Sequence, residues 1–185
     1  MRGWWRRRAR DTDPAAFVFV DESGANTAMA GLYGRAPPGE RVVGAVPHRG
    51  RKTLTLIGAV RLDGVAAGFT VDAAADADVF RAFVVGVLVP ALRPGDVVAW
   101  DRLAAHAKAA VEPEIRAAGA ELRLLPPYSP DLSPIEPMWS KVKQCLRTAA
   151  ARAVPALRDA ADAAFAAVTA DDARGWFEHC GYCVH

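Results

Sequence analysis

Ala15-Ala16-Phe17-Val18-Phe19-Val20-Asp21 is a short apolar run, rich in aromatic and β-branched residues, that ends on a carboxylate. Such a run reads as a buried strand. A second run of the same kind, Asp96-Val97-Val98-Ala99-Trp100, stops at Asp101. Desolvating a lone carboxylate is costly, so acids at the ends of buried strands pair, take up a proton or bind a cation. If the two strands are parallel neighbours, Asp21 and Asp101 face each other. Two carboxylates at that distance repel, unless one is protonated or a divalent cation is shared. The plainer alternative for each is a cap or turn after a strand.

Outward from these strands the chain alternates. Ser23-Gly24-Ala25-Asn26-Thr27 reads as a turn and residues 28–33 as a second strand. Residues 34–50 are loop-rich, with Pro37-Pro38-Gly39 and Pro47. Residues 53–62 and 65–71 form a hairpin about Asp63-Gly64. Helices are expected over 76–88, 104–118 (ending at Gly119), 135–146 and 155–168, with a strand over 121–125. Strands first, then alternating strands and helices, predict an α/β protein with a mixed sheet flanked by helices.

Length and composition bound the answer. With 185 residues, 52% hydrophobic and 24% charged, the chain is one domain's worth and too apolar for disorder. No run approaches the roughly 18 apolar residues of a membrane helix. Arginines at the start have no apolar stretch behind them to make a signal peptide, so a soluble, cytoplasmic protein without membrane contact is expected. Three cysteines are no disulfide framework. Cys180 and Cys183, flanked by His179 and His185, read either as small side chains closing a terminal turn or as a metal-binding pair.

The net charge of +2 conceals segregation. Residues 1–10 carry five arginines and no acid, 35–52 carry five basic residues against Glu40, and 141–152 carry four and no acid. Separate basic patches suit a polyanion such as nucleic acid, although each alone could be a solvated face. Residues 1–14, with Trp4-Trp5-Arg6-Arg7-Arg8, read as a basic arm or a linker remnant.

Glu136 opens a helix in Ser133-Pro134-Ile135-Glu136. That spacing predicts a capping box, with Ser133 at the N-cap and Glu136 reaching back to it. The same carboxylate is also a candidate third acid.

These residues together carry a resemblance. Val20-Asp21-Glu22-Ser23-Gly24, Trp100-Asp101-Arg102-Leu103-Ala104-Ala105-His106, and Leu125-Pro-Pro-Tyr-Ser-Pro-Asp-Leu-Ser-Pro-Ile-Glu-Pro-Met-Trp-Ser-Lys-Val-Lys143 resemble the catalytic domain of DDE transposases, in the bacterial insertion-sequence branch related to mariner-like elements. The 34 residues between Asp101 and Glu136 match that branch's spacing, and Cys180-Gly181-Tyr182 is similar too. The resemblance implies a ribonuclease H-like fold over 15–185, with Asp21, Asp101 and Glu136 as catalytic metal ligands. Two Mg²⁺ (or Mn²⁺) ions are implied, one activating the attacking oxygen and one stabilising the leaving oxygen. It implies DNA as partner, both element ends and target, with water cleaving the end and the freed 3′-hydroxyl joining it to target. It also implies a homodimer on DNA. Two positions depart from the pattern: Arg102 and Ser133 stand where the family commonly has Asn. Arg102 is read as a phosphate contact or a competitor for metal.

Arg102, His106, Lys108, Lys141, Lys143 and Arg147 are the candidate DNA contacts; for His106 a structural role is the alternative, and Trp139 is expected in the core. No helix-turn-helix pattern precedes Phe17, so a separately encoded recognition domain is an expected partner. A truncated or non-catalytic DNA-binding or assembly module, and a cellular ribonuclease H-like nuclease, are the alternative functions.

Overall fold

Phe17–Asn26 is one continuous strand, β1, and everything near the site is hung on it. The computed structural model describes residues 2–47, 51–100 and 105–184, the last stretch with backbone only for 105–110. Strands β2 (Thr53–Arg61) and β3 (Gly64–Val71) form the expected hairpin. Strands β4 (Val97–Trp100) and β5 (Glu121–Leu124) complete a five-stranded sheet in the order β3-β2-β1-β4-β5. β1 runs antiparallel to β2 and parallel to β4, and β4 parallel to β5.

Around the sheet lie α1 (Arg2–Arg10), α2 (Ala77–Phe83), α3 (Val89–Ala91), α4 (Ala105–Ala117), α5 (Ile135–Ala149), α6 (Val154–Ala166) and α7 (Ala170–His179). A π-helical turn, Val84–Leu88, joins α2 to α3. Strand side chains alternate between faces. Phe17 and Phe19 therefore pack with Ile135, Met138, Trp139 and Phe177 of α5 and α7, while Val18 and Val20 pack with Phe80, Phe83, Val111 and Ile115 on the other side. This mixed sheet between two helical layers is the expected ribonuclease H-like fold.

Three local expectations are overturned. Of the predicted turn at 23–27, residues 23–26 are strand, because Glu22–Asn26 pair with Thr53–Ile57 of β2 and that ladder outweighs the local turn signal. The chain turns only after Asn26, whose Oδ1 accepts the Ala28 N–H at 3.0 Å. The strand expected over 28–33 is absent; Leu32 and Tyr33 are exposed and find no sheet edge. The capping box at Ser133 does not form. Ser133 ends a 3₁₀ turn (Pro130–Leu132), Pro134 takes the N-cap position, and no side chain caps α5.

Two elements went unread. Residues 2–10 form a helix docked through Trp5, which is buried, lies tilted against the Phe17 ring, and donates its indole N–H to the Tyr182 hydroxyl at 3.0 Å. Tyr182 in turn donates to the Leu132 carbonyl at 2.7 Å. α7 starts with a capping box in which Thr169 and Asp172 bond each other's backbone N–H groups. Among the described residues no helix is long and apolar enough to cross a membrane.

Candidate active site

The site forms where the parallel ladder stops. The last β1–β4 pair is Val20↔Trp100, while β1 continues for six residues beside β2 alone. Asp21 is therefore the first β1 residue beyond its parallel neighbour, although it is mid-strand rather than terminal. Its odd position sets it on the Phe17–Phe19 face, toward α5. Cross-strand from it is Gly58.

The indole of Trp139 fills the space over that glycine. A Cβ on Gly58 would stand 3.0 Å from Trp139 Cη2 and 3.0 Å from Met138 Cε. The Trp139 Nε1–H then donates to Asp21 Oδ2 at 2.9 Å. Trp139 is in the core as expected, and it also orients the carboxylate. The signal for this was available: a buried tryptophan needs an acceptor for its N–H, and Trp139 lies three residues beyond Glu136.

Burial pushes Asp21 from the ordinary 3.8 up to about 7. The Glu22 backbone N–H opposes this, the charges of Glu22 and Glu136 add to it, and the Trp139 hydrogen bond opposes it again. Glu136, exposed in the first turn of α5, thus lies within electrostatic reach of Asp21. Both line a cleft of about 490 Å³ walled by residues 125–130, Val20 and Ser133. The donors are hard carboxylate oxygens, one desolvated and both of like charge, which fits a divalent cation such as Mg²⁺. Among the described residues no three Asp, Glu, His or Cys side chains gather into a metal site. The third expected acid, Asp101, lies outside the described residues, as does Arg102.

The other candidates are dispersed. His106 and Lys108 fall on α4, with side chains outside the described residues. Lys141 is engaged in an ion pair with Asp172 at the start of α7. Lys143 and Arg147 are half-buried on α5 and follow Glu136 along one helical face, at i+7 and i+11. Cys180 is buried beyond the end of α7, where burial raises its thiol to about 11, and Cys183 is exposed. That arrangement suits the terminal-turn reading.

The fold and acidic cleft place the chain among ribonuclease H-like proteins. Within that class it belongs to the DDE superfamily endonucleases, whose family model matches residues 16–158. Among solved structures it is similar to a Mos1 transposase paired-end complex with left transposon end: TM-score 0.75 at 19% identity, over 96% of this chain and 55% of that one. It is also similar to the catalytic domain of Mos1 mariner transposase, with TM-score 0.66 at 15% identity over 96% and 82%. A Mos1 mariner paired end complex with Mn gives TM-score 0.70 at 18% identity, over 96% and 56%. At these identities the likeness is one of fold. The chain spans about half the length of the transposases in the complexes. No curated protein matched.

Proposed function

We propose that this chain is the catalytic domain of a transposase, cutting DNA at the ends of a mobile element and joining them to target DNA. The observation that carries this is the half-buried Asp21 meeting Glu136 in one cleft, where β1 outruns its parallel partner. Family membership and the mariner transposase fold support it.

Asp21, Asp101 and Glu136 would hold two Mg²⁺ or Mn²⁺ ions. When bound, such ions supply Lewis-acid activation of an attacking oxygen and stabilise the leaving one. The chain's own residues prepare the site. Trp139 fixes the rotamer of Asp21, and Gly58 leaves room for the indole. Residues 125–130 wall the cleft on one side. Lys143 and Arg147 would take phosphates along α5, together with Arg102, His106 and Lys108. Lys141 would have to leave Asp172 to do so. Residues 1–14 belong with the catalytic domain in this reading, since Trp5 is part of its core. A dimer on paired DNA ends, a separately encoded helix-turn-helix partner and a cytoplasmic location complete the proposal.

The test is metal-dependent nicking of supercoiled plasmid by the purified chain with Mg²⁺ or Mn²⁺. Activity in the parent, and its loss in Asp21→Asn, Asp101→Asn and Glu136→Gln at unchanged DNA affinity, is the expected result. Full activity in any of the three removes the triad. Metal-dependent DNA binding without nicking favours the non-catalytic module.

A further inference from the structure

One buried side chain, Tyr182, touches the supports of both acids. It lies beyond α7, where Gly181 at φ +86° reverses the chain. The Gly181 and Tyr182 N–H groups donate back to the Glu178 and Phe177 carbonyls at 2.9 and 3.0 Å, so the turn itself fixes where the ring enters the core. The ring packs against Phe17 and Phe19, its centroid 5.3 Å from each, and against Phe177 at 5.6 Å. Phe17 and Phe19 stand on the same face of β1 as Asp21, four and two residues before it.

The hydroxyl of the same residue reaches the support of the other acid. It donates to the Leu132 carbonyl at 2.7 Å. Leu132 closes the 3₁₀ turn that leads into α5, and Glu136 lies in the first turn of that helix. Within the 3₁₀ turn, the Leu132 and Ser133 N–H groups bond to the Ser129 and Pro130 carbonyls, and no side chain caps α5. Those bonds shape the turn; the bond from Tyr182 ties its backbone to the aromatic layer over β1. Trp5 settles the direction of that bond. Its indole N–H donates to the Tyr182 oxygen at 3.0 Å, and an indole can only donate. The phenol proton is thus left for Leu132, and burial pushes the phenol pKa upward, so the proton stays.

We propose that Tyr182 is a positioning residue that sets the separation of Asp21 and Glu136, and through it the affinity of the pair for a divalent cation. A hard cation demands its carboxylate oxygens at a fixed distance, about 2.0–2.1 Å for Mg²⁺. Ligands carried on separate elements therefore need a spacer between those elements. Here the ring rests on the strand that carries one acid, and the hydroxyl holds the turn that leads to the other. The inference rests on the reading of the cleft as a metal site, and adds to that site a residue that does not line it.

The test measures Mn²⁺ affinity of the full chain without DNA, from the electron paramagnetic resonance signal of the free ion, and plasmid nicking across Mn²⁺ concentrations. Tyr182→Phe keeps the ring and removes the hydroxyl. Trp5→Phe removes the donor behind it. Thr169→Ala loosens α7 at its far end without touching the turn, and is the control. Tyr182→Phe is expected to weaken Mn²⁺ binding roughly 10-fold, the lower end of what losing a ligand's outer support costs. Its nicking should be slow at limiting Mn²⁺ and recover at saturating Mn²⁺, with DNA affinity in EDTA unchanged. Trp5→Phe should shift Mn²⁺ affinity the same way by less. Parent-like Mn²⁺ affinity in Tyr182→Phe overturns this inference, and so does a loss that Thr169→Ala matches. If Tyr182→Phe does not fold, parent-like affinity in Trp5→Phe overturns it instead. Absence of Mn²⁺ binding in the parent, or binding that Asp21→Asn and Glu136→Gln leave unaltered, overturns the metal-site reading as well.

Discussion

Replacing Asp21 by Asn should make the metal-free protein more stable at alkaline pH while abolishing its activity. Burial holds the Asp21 carboxyl at about 7, against 3.8 in an exposed chain. Between those values the native state binds a proton that the unfolded state has released, so stability falls as pH rises from about 4 through 7. At 1.36 kcal/mol per pH unit the full loss is about 4 kcal/mol. Asn is nearly isosteric, carries no charge to desolvate, and still accepts the Trp139 N–H. Urea unfolding in EDTA should therefore find Asp21→Asn more stable than the parent by up to about 4 kcal/mol at pH 8, with the gap closing by pH 4. Excess Mg²⁺ should stabilise the parent by mass action and leave the variant unmoved. Equal stabilities at pH 8 would refute the reasoning, because Asp21 would then carry no desolvation cost and no reason to seek a cation.

Gly58→Ala should crowd Trp139, which is 3% exposed and hemmed by Phe165 with ring centroids 5.9 Å apart; we expect a loss of about 1–3 kcal/mol in urea unfolding, together with reduced nicking as the Asp21 hydrogen bond is displaced. Thr169→Ala should cost about 1 kcal/mol by removing the α7 cap, read as a lower Tm. The Lys141 ion pair, then the Thr169 N–H, hold Asp172 down at about 2, so its stabilisation is present above about pH 4 and lost toward pH 2; Lys141→Ala should accordingly raise the midpoint of acid unfolding. Asp96→Ala strands Arg61, which is 3% exposed and bonds Asp96 at 2.9 Å; a loss of about 3–5 kcal/mol is expected, largely recovered by adding Arg61→Met.

The strands nearest the site were legible because each is a dense apolar run, and a run ending on an acid is informative however the rest folds. Phe17–Val20 and Val97–Trp100 are indeed parallel neighbours. The hairpin about Asp63-Gly64 was legible through its turn chemistry. Misreadings arose where a distant segment decided the outcome. Ser23-Gly24-Ala25-Asn26 has turn composition, yet pairing with β2 keeps it extended. Ser133 to Glu136 has capping spacing, yet the preceding 3₁₀ turn claims Ser133. Residues 2–10 read as a basic arm or linker remnant because arginines dominate them, while Trp5, the residue of this helix that is fully buried, has its receptor Tyr182 far along the sequence. The cap at Thr169 was readable from its spacing to Asp172 and was passed over. At the site, Asp21 and Glu136 could be named from local pattern and resemblance. The link through Gly58 and Trp139 depends on cross-strand register, which no linear pattern displays.

The bond between Trp5 and Tyr182 spans 177 positions of sequence. During synthesis the arginine-rich first helix must therefore wait, undocked, until its receptor leaves the ribosome. The clasp of Tyr182 on the Leu132 carbonyl is consequently made only after every strand and the cleft wall have emerged, so the docking of α1 is set by a residue synthesised long after it.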